Sequence, residues 1–183
     1  MTLPVFGQEV KGFKNEYLDD FAITRRQLIQ LAQATPSDKF AWRPAKDVRS
    51  TAEVYNHIAT GNFLLLSATG VKLPSEFYAD GPAAGKDPMA IVRRNMQLEK
   101  SVTTKDQVVR MLESSLDAVR EEFSKATEAD LEKPADFFGQ KTTVRRIYLR
   151  IFAHVNEHMG QSIAYARMNG IVPPWSRGQN GTP

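Results

Sequence analysis

Cysteine is absent from this 183-residue chain, and that one absence excludes disulfides, thiolate metal sites and a cysteine nucleophile together. Any metal ion would have to rest on nitrogen and oxygen donors. Long apolar runs are missing as well: nowhere does the chain offer the stretch of about 18 residues that a membrane helix needs. The opening segment MTLPVFGQEVKGFKNEY holds no apolar core suited to a secretory signal. A soluble, cytoplasmic protein without a membrane partner is expected. An excess of one charge is lacking too, since 24 Lys and Arg stand against 21 Asp and Glu, for a formal charge of +3, interspersed along the chain. Nucleic-acid binding needs a clustered basic face, so the pairs Arg25-Arg26, Arg93-Arg94 and Arg145-Arg146 read as solvated helix faces. No Gly-rich phosphate loop, Gly-x-Ser-x-Gly elbow or internal repeat is present.

Histidine is scarce, and its placement carries the most information. The chain has 3 histidines. His154 and His158 stand four residues apart in IFAHVNEHMGQSIAYARMNG, one helical turn above each other on a single face. His57 lies far upstream in a second helical segment, TAEVYNHIATGNF. Neutral imidazole is the commonest protein ligand for a transition metal, and two rings at this spacing can share one ion. With none spent elsewhere, the three histidines form a candidate metal site.

The length suits one domain with a full core. Apolar residues at Phe13, Tyr17, Phe21, Ile23, Leu28, Leu31 and Ala32 predict an amphipathic first helix from about Gly12 to Ala34. The stretch SDKFAWRPAKDVRS, broken by Pro44, reads as a loop in which Phe40 and Trp42 are anchors, Trp42 being also the candidate cofactor-binding aromatic. Ser50 and Glu53 form a capping-box pattern that opens a second helix. Glu53 falls one turn before His57, and it serves either as the cap alone or as a carboxylate orienting the ring. Gly61, one turn after His57, leaves room beside that ring.

From Val71 to about Thr103 the chain is rich in proline and glycine, with one short helical piece from Pro88 to Glu99. So long a connection predicts a crossover of the bundle or a cover over a site. Thr104 and Gln107 repeat the capping-box pattern, and Val108, Met111, Leu112, Leu116, Val119 and Phe123 mark a third long helix up to about Ala126. A short hairpin is possible around Gly139, with Phe137 and Phe138 buried. The fourth long helix runs from about Thr143 to Asn169 and stops at Gly170. On it Ile147, His154, His158, Gln161 and Tyr165 share one stripe, flanked by Arg150 and Glu157. Polar groups at positions where a bundle helix should be apolar cost free energy unless they are partnered, and the misfit marks a site.

Two stretches carry a family resemblance. WRPAKDVRSTAEVYNHIATG, with Trp42-Arg43-Pro44, Ser50 and His57, resembles the second-helix signature of the DinB/YfiT-like superfamily. HVNEHMGQSIAYARMNGIVPP, with His154, His158, Gly160-Gln161, Tyr165, Gly170 and Pro173-Pro174, is similar to that family's closing signature. Met159 stands where the family often has Arg before Gly-Gln. The resemblance implies an all-α four-helix bundle with a long crossover between its second and third helices, a divalent metal on His57, His154 and His158, and a homodimer. Members are divided among metal-dependent hydrolases, thiol-dependent transferases or isomerases using small thiol cofactors, and proteins of no known activity.

Three neutral imidazoles leave a divalent ion an open position, the arrangement of a working rather than a structural site. The ion would be zinc by the simplest choice, with nickel, manganese or iron also suited to imidazole. It can activate a water for hydrolysis or bind an incoming thiol for transfer. Either chemistry on a small-molecule substrate needs a proton carrier, for which Glu157, Gln161 and Tyr165 are the candidates. A non-catalytic dimeric helical module, in which the ion serves stability or sensing, is the alternative.

Overall fold

The computed structural model describes residues 12–78 and 88–178. The N-terminal segment and residues 79–87 of the expected crossover lie outside the described residues. Four long helices dominate: α1 (Phe13–Ala34), α2 (Thr51–Ser67), α5 (Lys105–Lys125) and α7 (Val144–Met168), with shorter α3 (Ser75–Tyr78), α4 (Pro88–Ser101) and α6 (Glu128–Leu131) between them. Both α1 and α2 pack against α5 and α7, so the four close into a ring in which each helix touches two neighbours. α3 and α4 occupy the connection between the second and third long helices, as expected of a crossover. Among the described residues no helix is long and apolar enough to cross a membrane.

The core follows the helical period. Tyr17, Phe21 and Leu28 of α1 meet Leu112, Leu116 and Phe123 of α5 and Ile147, Ile151 and Val155 of α7, an apolar stripe on each helix turned inward. Ile23, which the spacing assigned to the same face, is exposed instead. A second cluster joins Phe63 of α2, Phe77 and Tyr78 of α3, Ile91 and Leu98 of α4 and Met111 of α5. This cluster seats the crossover on the bundle.

Polar ties fix the crossover more specifically. Asn95 Nδ2 donates to the Thr60 carbonyl at 2.9 Å, and Asn95 Oδ1 accepts from the Tyr78 hydroxyl at 2.7 Å. Asn56 Nδ2 donates to the carbonyls of Glu99 at 3.2 Å and Val102 at 2.7 Å. Those carbonyls belong to the end of α4, where no intrahelical donor is left.

At the start of α2 the capping box is complete: Ser50 accepts from the Glu53 amide, and Glu53 Oε2 accepts from the Ser50 amide at 2.7 Å. The loop finishes the job, since the carbonyls of Trp42 and Phe40 accept from the Thr51 and Ala52 amides, each at 2.9 Å. Phe40 is buried and Trp42 lies edge-on to Tyr165 with centroids 5.3 Å apart, so both are anchors.

Two expectations are corrected. Thr104 makes no capping bond to the backbone; its hydroxyl donates to Gln107 Oε1 at 2.8 Å, so the two side chains satisfy each other. The hairpin is present as β1 (Pro134–Phe137) paired antiparallel with β2 (Gln140–Thr143). Its two-residue turn puts Phe138 (φ 53°) and Gly139 (φ 79°) in the left-handed region, and the tip position leaves Phe138 exposed rather than buried.

Candidate metal centre

His57 on α2 and His154 and His158 on α7 converge. One ring nitrogen from each falls within 4.8 Å of the others, and the ring centroids are 4.6 to 5.0 Å apart. Helix α7 supplies two rings because four residues make about one turn, and the packing of α2 on α7 supplies the third.

The hydrogen bonds decide which nitrogen each ring presents. His57 Nδ1 lies 2.7 Å from Glu99 Oε1. Burial pushes the Glu99 carboxyl up, but hydrogen bonds and charge from His57 and Arg49 together outweigh it and hold it below the usual range. An ionised carboxylate only accepts, so His57 donates from Nδ1, and Nε2 is the nitrogen left for a ligand. His158 Nδ1 lies 2.9 Å from Gln161 Oε1, while Gln161 Nε2 donates to the Tyr165 hydroxyl at 3.0 Å. Tyr165 in turn donates to the Arg49 carbonyl at 3.2 Å. His158 therefore also donates from Nδ1 and keeps Nε2 bare.

His154 is held differently. It is buried, and its Nδ1 has no hydrogen-bond partner. Its ring lies against Gly61: a Cβ built there would stand 2.4 Å from His154 Cε1. The space left by Gly61 is thus taken by the ring of His154, not of His57 as the spacing along α2 suggested. Burial lowers the pKa of His154 to about 3, helped by the neighbouring His158 and His57. His158 is also shifted down by burial, against an opposing hydrogen bond from Gln161.

The donor set fits a divalent ion. His57 Nε2 and His154 Nε2 are 3.3 Å apart, and two nitrogens about 2.0–2.1 Å from a tetrahedral ion stand about 3.3–3.4 Å apart. With its proton on Nδ1, His154 directs a second lone pair at His57, and a cation between the two Nε2 atoms would answer both; the buried Nδ1 is unpartnered with or without it. His154 and His158 are biased neutral, the state a metal ligand requires.

A cavity of about 800 Å³ adjoins the cluster, lined by Arg43, Asp47, Val48, Arg49, Glu53, Met96, Glu99, Lys100 and Gln161. Glu99 and Gln161, each hydrogen-bonded to a cluster histidine, belong to its wall. Trp42 and Tyr165 are not among its lining residues. Tyr165 is buried and bonded to Gln161 and Arg49. Glu157 is exposed on α7, 3.9 Å from Arg150, and has no hydrogen bond to the cluster. Glu53 is a cap, paired with Arg43 at 3.2 Å, and the hydrogen bond to His57 is not made by it. The carboxylate that does orient His57 is Glu99, 42 residues away on the crossover. Sequence reasoning missed it because no helical spacing relates the two; the only signal was a carboxylate at the end of the short helical piece.

Residues 20–162 match the model of the DinB superfamily. Solved structures share the fold, among them two DinB-like proteins. A DinB-like protein from Bacillus cereus ATCC 10987 is 19% identical with a TM-score of 0.67, covering 87% of this chain and 95% of its own. A DinB-like protein from Bacillus subtilis (YjoA) is 21% identical with a TM-score of 0.55, covering 86% and 94%. No curated protein matches the chain.

Proposed function

From the premise that the chain belongs to the DinB superfamily, we propose that it is a divalent-metal-dependent enzyme acting on a small molecule, as a thiol transferase or a hydrolase. The observation that carries the reading is the 3.3 Å approach of two Nε2 atoms, one of them on a ring whose other nitrogen is committed to a carboxylate. His57, His154 and His158 would hold the ion. A bound divalent ion, zinc by preference and otherwise nickel, manganese or iron, supplies Lewis acidity toward a water or a thiol.

The remaining work belongs to the protein. Glu99 and Gln161 keep two rings in the ligating tautomer. Glu99 also reaches the cavity wall, but its two oxygens are spent on His57 and Arg49, so it orients the ring rather than carrying a proton, and Glu157 faces solvent. Gln161 and Tyr165 act as positioning residues, because their polar atoms are spent on His158, on each other and on Arg49. The cavity wall sets Arg43, Arg49 and Lys100 against Asp47, Glu53 and Glu99, and Arg43 and Arg49 are paired with Glu53 and Glu99. A small polar substrate or thiol cofactor suits a wall of that mixed charge. Trp42 would act on such a cofactor only through Tyr165, against which it packs.

The alternative, a non-catalytic metal-binding helical module, draws on one observation: the three rings are not themselves among the residues lining the cavity. Consumption of small thiols against a panel of electrophiles, and hydrolysis of ester and amide panels, with and without metal, separates the readings. Metal-dependent turnover of either kind supports the enzyme; stoichiometric metal with no turnover in any panel sinks it. The homodimer implied by the family resemblance belongs to the same proposal, and light scattering that gives a monomer's mass refutes it.

A further inference from the structure

The outer nitrogens of two cluster rings lead to a single residue. His57 Nδ1 bonds Glu99 Oε1 at 2.7 Å, and Glu99 Oε2 accepts from Arg49 Nε at 3.0 Å. His158 Nδ1 bonds Gln161, Gln161 bonds the Tyr165 hydroxyl, and that hydroxyl donates to the Arg49 carbonyl at 3.2 Å. The side chain of Arg49 closes one chain of bonds and its main chain closes the other. The two arms start on different helices, α2 and α7, and nothing in their local spacing requires them to meet.

Arg49 is well fixed for such a junction. It directly precedes Ser50, the cap of α2, whose amide is bonded to Glu53. On its other side the Val48 carbonyl accepts from Arg43 Nη1 at 2.6 Å. A displacement of Arg49 would therefore have to disturb both arms at once. His154 stands outside this system, since its Nδ1 has no partner and Gly61 sets its position.

We propose that Arg49 is the shared positioning residue of the histidine cluster, its guanidinium orienting His57 through Glu99 and its carbonyl orienting His158 through Tyr165 and Gln161. The inference rests on the metal-centre reading above. Its physical basis is that an outer hydrogen bond on the second nitrogen fixes the tautomer and direction of a ligating imidazole, as at His57 and His158. Glu99 without Arg49 keeps only His57 on its two oxygens, and its carboxylate can turn away from the ring.

Cobalt(II) is the probe, because its visible absorption reports ligand geometry directly. Arg49→Met and Glu99→Gln each weaken Co²⁺ binding by about tenfold to a hundredfold and alter the absorption band, with urea midpoints recorded alongside. The double variant of these two is little worse than either, since they lie on one arm. Glu99→Gln and Tyr165→Phe lie on opposite arms: their effects depart from a simple product in the wild type and become multiplicative in the Arg49→Met background. Arg49→Lys, which keeps the charge and one donor, recovers part of the affinity and carries the same comparison if Arg49→Met does not fold. Wild-type affinity and spectrum in Arg49→Met, or effects of the two arms that multiply independently in both backgrounds, overturn the proposal. A wild-type protein that takes up no Co²⁺ overturns the metal reading itself, a different outcome from uptake that is indifferent to Arg49.

Discussion

Gly61→Ala tests the tertiary arrangement of the cluster with one methyl group. In a helix interior away from other contacts, replacing Gly by Ala stabilises by up to about 1 kcal/mol, because Ala loses less conformational entropy on folding. At residue 61 the new Cβ would meet His154 Cε1 at 2.4 Å, Nδ1 at 3.0 Å and Nε2 at 3.3 Å. Carbon atoms rest at about 3.5–4.0 Å, so the ring must withdraw by about 1 Å or α2 must shift against α7. Overpacking of this kind costs about 1–3 kcal/mol, which cancels or exceeds the helical gain. The expected net is a metal-free protein no more stable than the parent, and less stable by up to about 2 kcal/mol.

The effect on the ion is sharper, because a displacement of that size is about half the length of a metal–nitrogen bond of about 2.0–2.1 Å. Competition against a chromophoric chelator should show Zn²⁺ or Co²⁺ affinity reduced at least about tenfold, the equivalent of about 1.4 kcal/mol. Gly160→Ala is the control: it lies on α7 beside His158, and a Cβ there meets nothing within 4 Å. It should gain stability and leave metal affinity unchanged. If Gly61→Ala behaves like Gly160→Ala, in urea and in the competition assay, the packing of His154 against α2 is wrong and the three rings do not converge as described.

Three further outcomes follow from the same geometry. The double variant His154→Ala, His158→Ala should lose stoichiometric metal by elemental analysis while keeping its helical circular dichroism, and full occupancy in that variant would refute the ligand set. Asn95→Ala removes the bond from α4 to the Thr60 carbonyl of α2 and the acceptor of the Tyr78 hydroxyl of α3, leaving that buried hydroxyl unpaired; a loss of about 1–3 kcal/mol is expected in urea unfolding, and a loss below about 0.5 kcal/mol, the range of an ordinary surface change, contradicts it. In the metal-free protein, burial holds His154 at about 3 and His158 below its ordinary value, so the unfolded chain binds more protons than the folded one once the pH falls below about 6.5. Stability should therefore drop from pH 7 toward pH 4, with a shallower drop in His154→Ala; parallel curves for the two proteins would exclude a buried neutral imidazole.

Local physics made much of this protein legible from its residues. Helix ends could be read because caps act within one turn: Ser50 with Glu53 opens α2 as expected, and Gly170, with φ of 71°, terminates α7. Apolar periods located the four long helices, and the His154–His158 spacing put two rings on one face. Where a local pattern had two outcomes the reading faltered. Thr104 and Gln107 found each other instead of the backbone, and Phe138 went to the tip of a tight turn, where apolar character does not imply burial.

What the chain's residues determined by themselves was the inventory: four amphipathic helices, no thiol, and three imidazoles on two of those helices. Only the tertiary structure decided how the imidazoles are held. Glu99 reaches His57 across 42 residues and Tyr165 reaches Arg49 across 116. Neither separation has a helical period, because the bonds run between elements whose relative placement depends on how the whole core packs. The same packing put Gly61 beneath His154 rather than beside its own helix neighbour His57. Spacing along a helix specifies which side chains share a face, whereas the partner that faces them is chosen by the docking of a second helix.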